Sequence, residues 1–117
     1  MITIILNHQP YDGSDVTWNA LRLAKTLHKS GEEVNIFLMN DAVDLARDKT
    51  GKPESYDYDL VEMLKKMYTN GINLQVCGTC NARCGILKNE SYFNENISST
   101  MQILANWISQ SKQVLTF

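Results

Sequence analysis

Ile72-Asn73-Leu74-Gln75-Val76-Cys77-Gly78-Thr79-Cys80-Asn81-Ala82-Arg83-Cys84-Gly85-Ile86 passes from a strand pattern into a turn loaded with sulfur. Apolar and polar residues alternate from Ile72 to Val76, the period of a β-strand. The run stops at Cys77, Gly78 follows, and all three cysteines of the chain lie between there and Cys84. A strand that ends in a thiol, a glycine and a short polar turn holds sulfur at the rim of a sheet. The rest of the chain reads as the scaffold that places it there.

Working backwards, Asn70-Gly71 ends a helix that opens near Asp57 and carries Leu60, Val61, Leu64, Met67 and Tyr68 on one face. Lys49 to Tyr56, with Gly51 and Pro53, reads as a loop. Asn40 or Asp41 caps a short helix over about residues 41–48, and Val34 to Met39 forms a strand before it. Val16, Ala20, Leu23, Ala24 and Leu27 predict an amphipathic helix over 15–29, capped by Ser14 or Asp15 and stopped at Gly31. Ile2 to Leu6 is a continuous apolar run of the kind buried on both faces of a sheet. Asn7 and His8 begin the loop that follows it.

Working forwards, residues 86–97 read as loop. Ser99-Thr100-Met101-Gln102 has the form of a capping box. Met101, Leu104, Ala105 and Ile108 predict the inward face of a helix that runs to about Ser111. Val114 to Phe117 closes the chain as a strand. Strands separated by helices predict a three-layer α/β/α fold around a mostly parallel sheet of about five strands. Residues 1–117 suit a single domain. In such sheets reactive groups sit beyond the carboxyl ends of the strands. That rule puts Asn7 and His8, Asn40 and Asp41, and Cys77 along one rim.

Composition narrows the function classes. The net charge is −2 and no Lys/Arg cluster occurs, so nucleic acid is not an expected partner. No apolar stretch approaches membrane-spanning length, and the first residues lack the basic leader and long core of a signal peptide. The expected setting is the cytoplasm, where cysteines serve chemistry more than structural disulfides. No phosphate loop, nucleophile elbow or dinucleotide fingerprint is present, and no bound cofactor is called for.

If Thr79 to Cys84 coil into a helical turn, its free N–H groups and the nearby Arg83 favour thiolate at Cys77. A thiolate is a nucleophile and can also accept a sulfane sulfur as a persulfide. Gly78 lets the backbone turn sharply there. Cys80 makes a C-x-x-C with Cys77, open to reversible disulfide formation or to packing as a spare thiol. Cys84, four residues on, would share a side of the turn with Cys80. The three thiols with His8 form a weak metal pattern, since zinc sites usually show two paired ligand sets. His8 could face Cys77 as a base, and a plain surface histidine accounts for it as well.

The stretches Val16-Thr17-Trp18-Asn19-Ala20-Leu21-Arg22-Leu23-Ala24, Glu33-Val34-Asn35-Ile36-Phe37-Leu38 and Cys77-Gly78-Thr79-Cys80 resemble the DsrE/DsrF-like family, as does the ending Lys112 to Phe117. These are small sulfur-relay proteins that include TusD-type sulfurtransferase subunits. The resemblance implies a homo-oligomer, trimeric or hexameric, with protein partners that donate and accept sulfur. The family's sulfur-accepting cysteine falls on Cys77, and Cys80 matches a second cysteine of one branch. The family often shows Arg-Gly at the end of the motif; here Cys84 intervenes between Arg83 and Gly85. The expected site is Cys77, Cys80 and Arg83, with Gly78, Thr79, His8 and Asn7 beside the transferred sulfur. The alternatives are a non-catalytic oligomeric module sensing redox state or metal through Cys77, Cys80 and Cys84, and a thiol–disulfide oxidoreductase.

Overall fold

Five parallel strands lie side by side in the order β4-β3-β2-β1-β5 in the structure, a computed structural model that describes residues 1–117. The strands are β1 (Ile2–Leu6), β2 (Val34–Leu38), β3 (Asn73–Cys77), β4 (Ser98–Ser99) and β5 (Gln113–Thr116). Helices α1 (Val16–Lys29), α2 (Leu60–Thr69), the single turn α3 (Cys80–Arg83) and α4 (Met101–Gln110) connect them. The predicted α/β fold is therefore present, and its sheet is entirely parallel.

β1 and β2 are buried along their whole length, as continuous apolar runs require. Alternation puts Thr3, Ile5, Asn35, Phe37, Gln75 and Cys77 on one face of the sheet. On this face Phe37 meets Trp107 of α4 edge to face. A polar ladder crosses it: Asn73 Nδ2 donates to Asn35 Oδ1 (2.8 Å), Asn35 Nδ2 to Thr3 Oγ1 (3.3 Å), and Thr3 Oγ1 meets Ser111 Oγ (2.7 Å). The buried polar side chains of the strands are thus paired to one another, which removes most of the cost of burying them. The opposite face carries Ile4, Leu6, Ile36, Leu38, Leu74 and Val76, all buried in the core.

Four expectations need correction. The buried face of α1 is Thr17, Ala20, Leu21 and Ala24, turned from the predicted one, and Val16 is exposed. The short helix predicted over 41–48 is a 3₁₀ stretch, Asn40–Ala46. The cap of α4 is Thr100, whose hydroxyl accepts from Ile103 N–H (3.3 Å), not Ser99. Ser99 is instead drawn into β4, which the sequence reading missed. Last, α4 buries only Leu104, while Met101 and Ile108 of its predicted inner face are exposed. Helix α4 crosses a sheet face where the bonded Thr3, Asn35 and Asn73 interrupt the apolar residues, so its apolar stripe finds less there to pack on. The cap of α2 is as expected: Asp59 accepts from Glu62 N–H at 3.1 Å.

Candidate functional site

The three thiols meet at the carboxyl end of β3. Cys77 is the last residue of that strand, and Cys80 opens α3. Cys77, Cys84 and the backbone N–H of Asn40 are the groups that surround the Cys80 thiol. Burial, then the neighbouring Cys77, pushes the Cys80 thiol up to about 12, so it stays protonated at neutral pH. All three cysteines are free thiols.

Local sequence explains how the backbone delivers these groups. Asn40 has φ +52°, a left-handed conformation that asparagine tolerates better than most residues. Its side chain donates to Asn7 Oδ1 at 3.0 Å, and Asn7 is tied in turn to the Phe117 carbonyl. Asn7 is thereby tied to Asn40, the first residue of the 3₁₀ stretch that packs beside α3. Gly78 is required by close approach. Its N–H donates to the Ser99 carbonyl (2.9 Å), and a Cβ there would sit 3.0 Å from Ser98 Oγ and 3.1 Å from Ser99 O. The Cys77 carbonyl accepts from the Tyr92 hydroxyl at 2.8 Å. Burial pushes that phenol up to about 12, so it remains a neutral donor.

A thiol at the rim of a sheet is expected to be reachable by another molecule, and the structure corrects this for Cys77. Cys77 is 4% exposed and Cys80 8% exposed, while Cys84 is half-buried. β4 pairs alongside Cys77, and the α3 turn brings Cys80 against it. Arg83 is exposed and enters no ion pair. The arginine that holds the cysteine loop is Arg47, whose residue exposure is 0%. It donates to the carbonyls of Asn81 (2.6 Å), Cys84 (3.1 Å) and Glu90 (3.2 Å) and to Asp44 Oδ1 (2.6 Å).

Asp44 completes the anchor. It accepts from Gln9 Nε2 (2.6 Å) and from the N–H groups of Ile86 (2.7 Å) and Leu87 (3.4 Å). Burial alone would raise its carboxyl, but the bonds from Gln9, Ile86, Arg47 and Leu87 together hold it below the ordinary carboxylate range. Gly85, at φ +81°, passes so close to both side chains that a Cβ would collide with Asp44 and Arg47. Sequence reasoning overlooked this pair. Its signal was two opposite charges three positions apart inside the apolar run Ala42-Val43-Asp44-Leu45-Ala46-Arg47.

His8 and Thr79 are exposed. His8 lies near Asp12, whose carboxyl is lowered chiefly by the Ser14 hydroxyl and slightly by His8. No group of three His, Cys, Asp or Glu side chains is arranged to hold a metal ion. The largest cleft, about 690 Å³, opens between Gly13–Trp18 and Ser55–Leu60 and contains no cysteine. No helix is long and apolar enough to cross a membrane.

Comparison with known proteins agrees with the architecture. The chain is 34% identical to an uncharacterized protein of Methanopyrus kandleri, over all of this chain and 93% of that one. It is 35% identical to an uncharacterized protein of Methanocaldococcus jannaschii, over 98% and 97% of the two chains. Among solved structures it is similar to the ychN protein of E. coli, with a TM-score of 0.80 and 30% identity over 99% of this chain and 97% of the other. The DsrE/DsrF-like family model matches residues 1–117, and the chain belongs to that family.

Proposed function

We propose that this chain is a cytoplasmic sulfur carrier, one domain over residues 1–117, that holds sulfane sulfur as a persulfide on Cys77 and relays it to a cysteine of a partner protein. The observation that carries this reading is the gathering of the thiols at the strand end, with Cys77 closing β3 and the buried Cys80 opening the turn α3 three residues on. A protonated Cys80 beside Cys77 stabilises negative charge on the Cys77 sulfur without competing as a nucleophile. Burial then serves retention, because a persulfide kept from solvent is kept from stray reductants. Exchange occurs when a partner displaces the single turn α3. Gly78 and Asn7 shape the sulfur-binding end of the strands, and Thr79, His8 and Arg83 stand exposed along the same rim to meet the partner. Met101 and Ile108, one helical face of α4, and Val114 of β5 are exposed apolar side chains. We assign them to contact between copies of the chain.

The test is loading with a low-molecular-weight persulfide followed by peptide mass spectrometry. One added sulfur on Cys77, lost in Cys77→Ser and kept in Cys84→Ser, is the expected result. An unmodified Cys77, or a Cys77→Ser protein that loads as wild type does, would remove the reading. The thiol contact at Cys80 also suits a redox module. Loss of two thiols on mild oxidation, with no sulfur adduct under any loading condition, would favour that alternative.

A further inference from the structure

Ser99 Oγ is the one buried side-chain polar atom of the chain without a hydrogen-bond partner. Native proteins rarely leave such an atom unpaired, because its desolvation is not offset. Its position is informative. Ser99 is the register partner of Cys77 across the β3–β4 pair. Register partners on adjacent strands project from the same face of a sheet. The pairing at this point is tight, since Gly78 N–H donates to the Ser99 carbonyl at 2.9 Å and a Cβ at Gly78 would lie only 3.1 Å from that carbonyl oxygen. The hydroxyl therefore stands beside the Cys77 side chain, on a strand about 4.8 Å away, yet makes no hydrogen bond to the Cys77 sulfur. A persulfide extends the cysteine by one S–S bond, about 2 Å. That extension carries the outer sulfur across much of the gap between the two strands.

We infer that Ser99 is the hydrogen-bond donor to the transferred sulfur, a binding residue that recognises the Cys77 persulfide and ignores the bare thiol. The inference rests on Cys77 being the sulfur carrier. In the loading step the Cys77 thiolate attacks the outer sulfur of a donor persulfide, R–S–SH. The Cys77 S–S bond forms, the donor's S–S bond breaks, R–S⁻ leaves, and the proton stays on the transferred sulfur. When that proton is lost, the outer sulfur carries the charge and Ser99 O–H donates to it. In unloading, an acceptor thiolate attacks the outer sulfur and Cys77 departs as thiolate. No oxidant or reductant is consumed in either step.

The experiment loads wild type, Ser99→Ala and Ser99→Thr with a low-molecular-weight alkyl persulfide, removes the donor, and follows the fraction of Cys77 carrying extra sulfur under cyanide challenge. Ser99→Ala should lose its sulfur about ten-fold faster than wild type, the scale of a hydrogen bond to a charged group. Ser99→Thr, which keeps the hydroxyl, should restore most of the lifetime. The urea midpoint of the unloaded Ser99→Ala protein should be unchanged or raised, because the substitution removes an unpaired buried hydroxyl. A merely structural serine would lower it. If wild type loads at Cys77 and Ser99→Ala keeps its sulfur as long, the inference falls and the sulfur-carrier reading stands. If wild type takes no sulfur on Cys77, both fall.

Discussion

The two sides of the cysteine loop are held in opposite ways. On the inner side, Arg47 and Asp44 bind three carbonyls and two N–H groups between Asn81 and Glu90 with fully buried side chains. On the outer side, Thr79 and Arg83 are exposed and Arg83 enters no ion pair. The loop is gripped by its backbone from beneath while its outward side chains stay uncommitted. An anchor of this kind fixes the α3 turn against Cys77 without spending any of the three sulfurs on structure. It also shows that two arginines near one loop in sequence or space can differ entirely in what they do.

The sharpest way to break the contrast is Arg47→Ala. It leaves Asp44 as a buried charge without its partner and strips the carbonyls of Asn81, Cys84 and Glu90. A loss of about 3–5 kcal/mol is expected, read as a fall in urea midpoint at constant slope. In the same variant, alkylation should reach Cys77 and Cys80 nearly as fast as Cys84, whereas in wild type Cys84 reacts first. Acid probes the anchor more gently. Asp44 is more acidic in the folded chain than in the unfolded one, so as pH falls the unfolded chain takes up the proton first. Its stabilisation is complete above about pH 4 and fades as pH drops through the folded-state value. Chemical denaturation at a series of acid pH values should show a shallower pH slope for Asp44→Asn than for wild type. The smallest effect belongs to the outer side: Arg83→Ala should change stability by no more than about 0.5 kcal/mol. If it slows sulfur transfer from a protein donor but not from a small persulfide, its work is in docking.

Much of this was legible in the residues. Ile2–Leu6 and Val34–Leu38 could only be strands buried on both faces, and Leu60, Val61, Leu64 and Met67 could only be one face of a helix. The break at Cys77-Gly78 located the thiols at a strand end. The role of Arg47 was not legible, because nothing local to it reveals that carbonyls from Asn81, Cys84 and Glu90 converge on its guanidinium. The thin packing of α4 was hidden as well. Its apolar stripe is genuine, but the sheet face beneath carries Thr3, Asn35 and Asn73 bonded to one another.

By itself, then, the sequence determined four of the five strands, the three long helices, the α/β class with a mostly parallel sheet and the gathering of three thiols at the end of β3. Those features follow from periodicity and turn chemistry, which act over a few residues at a time. Tertiary structure alone decided that Ser98-Ser99 becomes a strand, that Cys77 is covered and that a distant Arg47 holds the loop. Each of these depends on partners brought together by the closing of the sheet. A two-residue strand has no period of its own, and its register with Val76 and Cys77 exists only once β3 and β4 lie side by side.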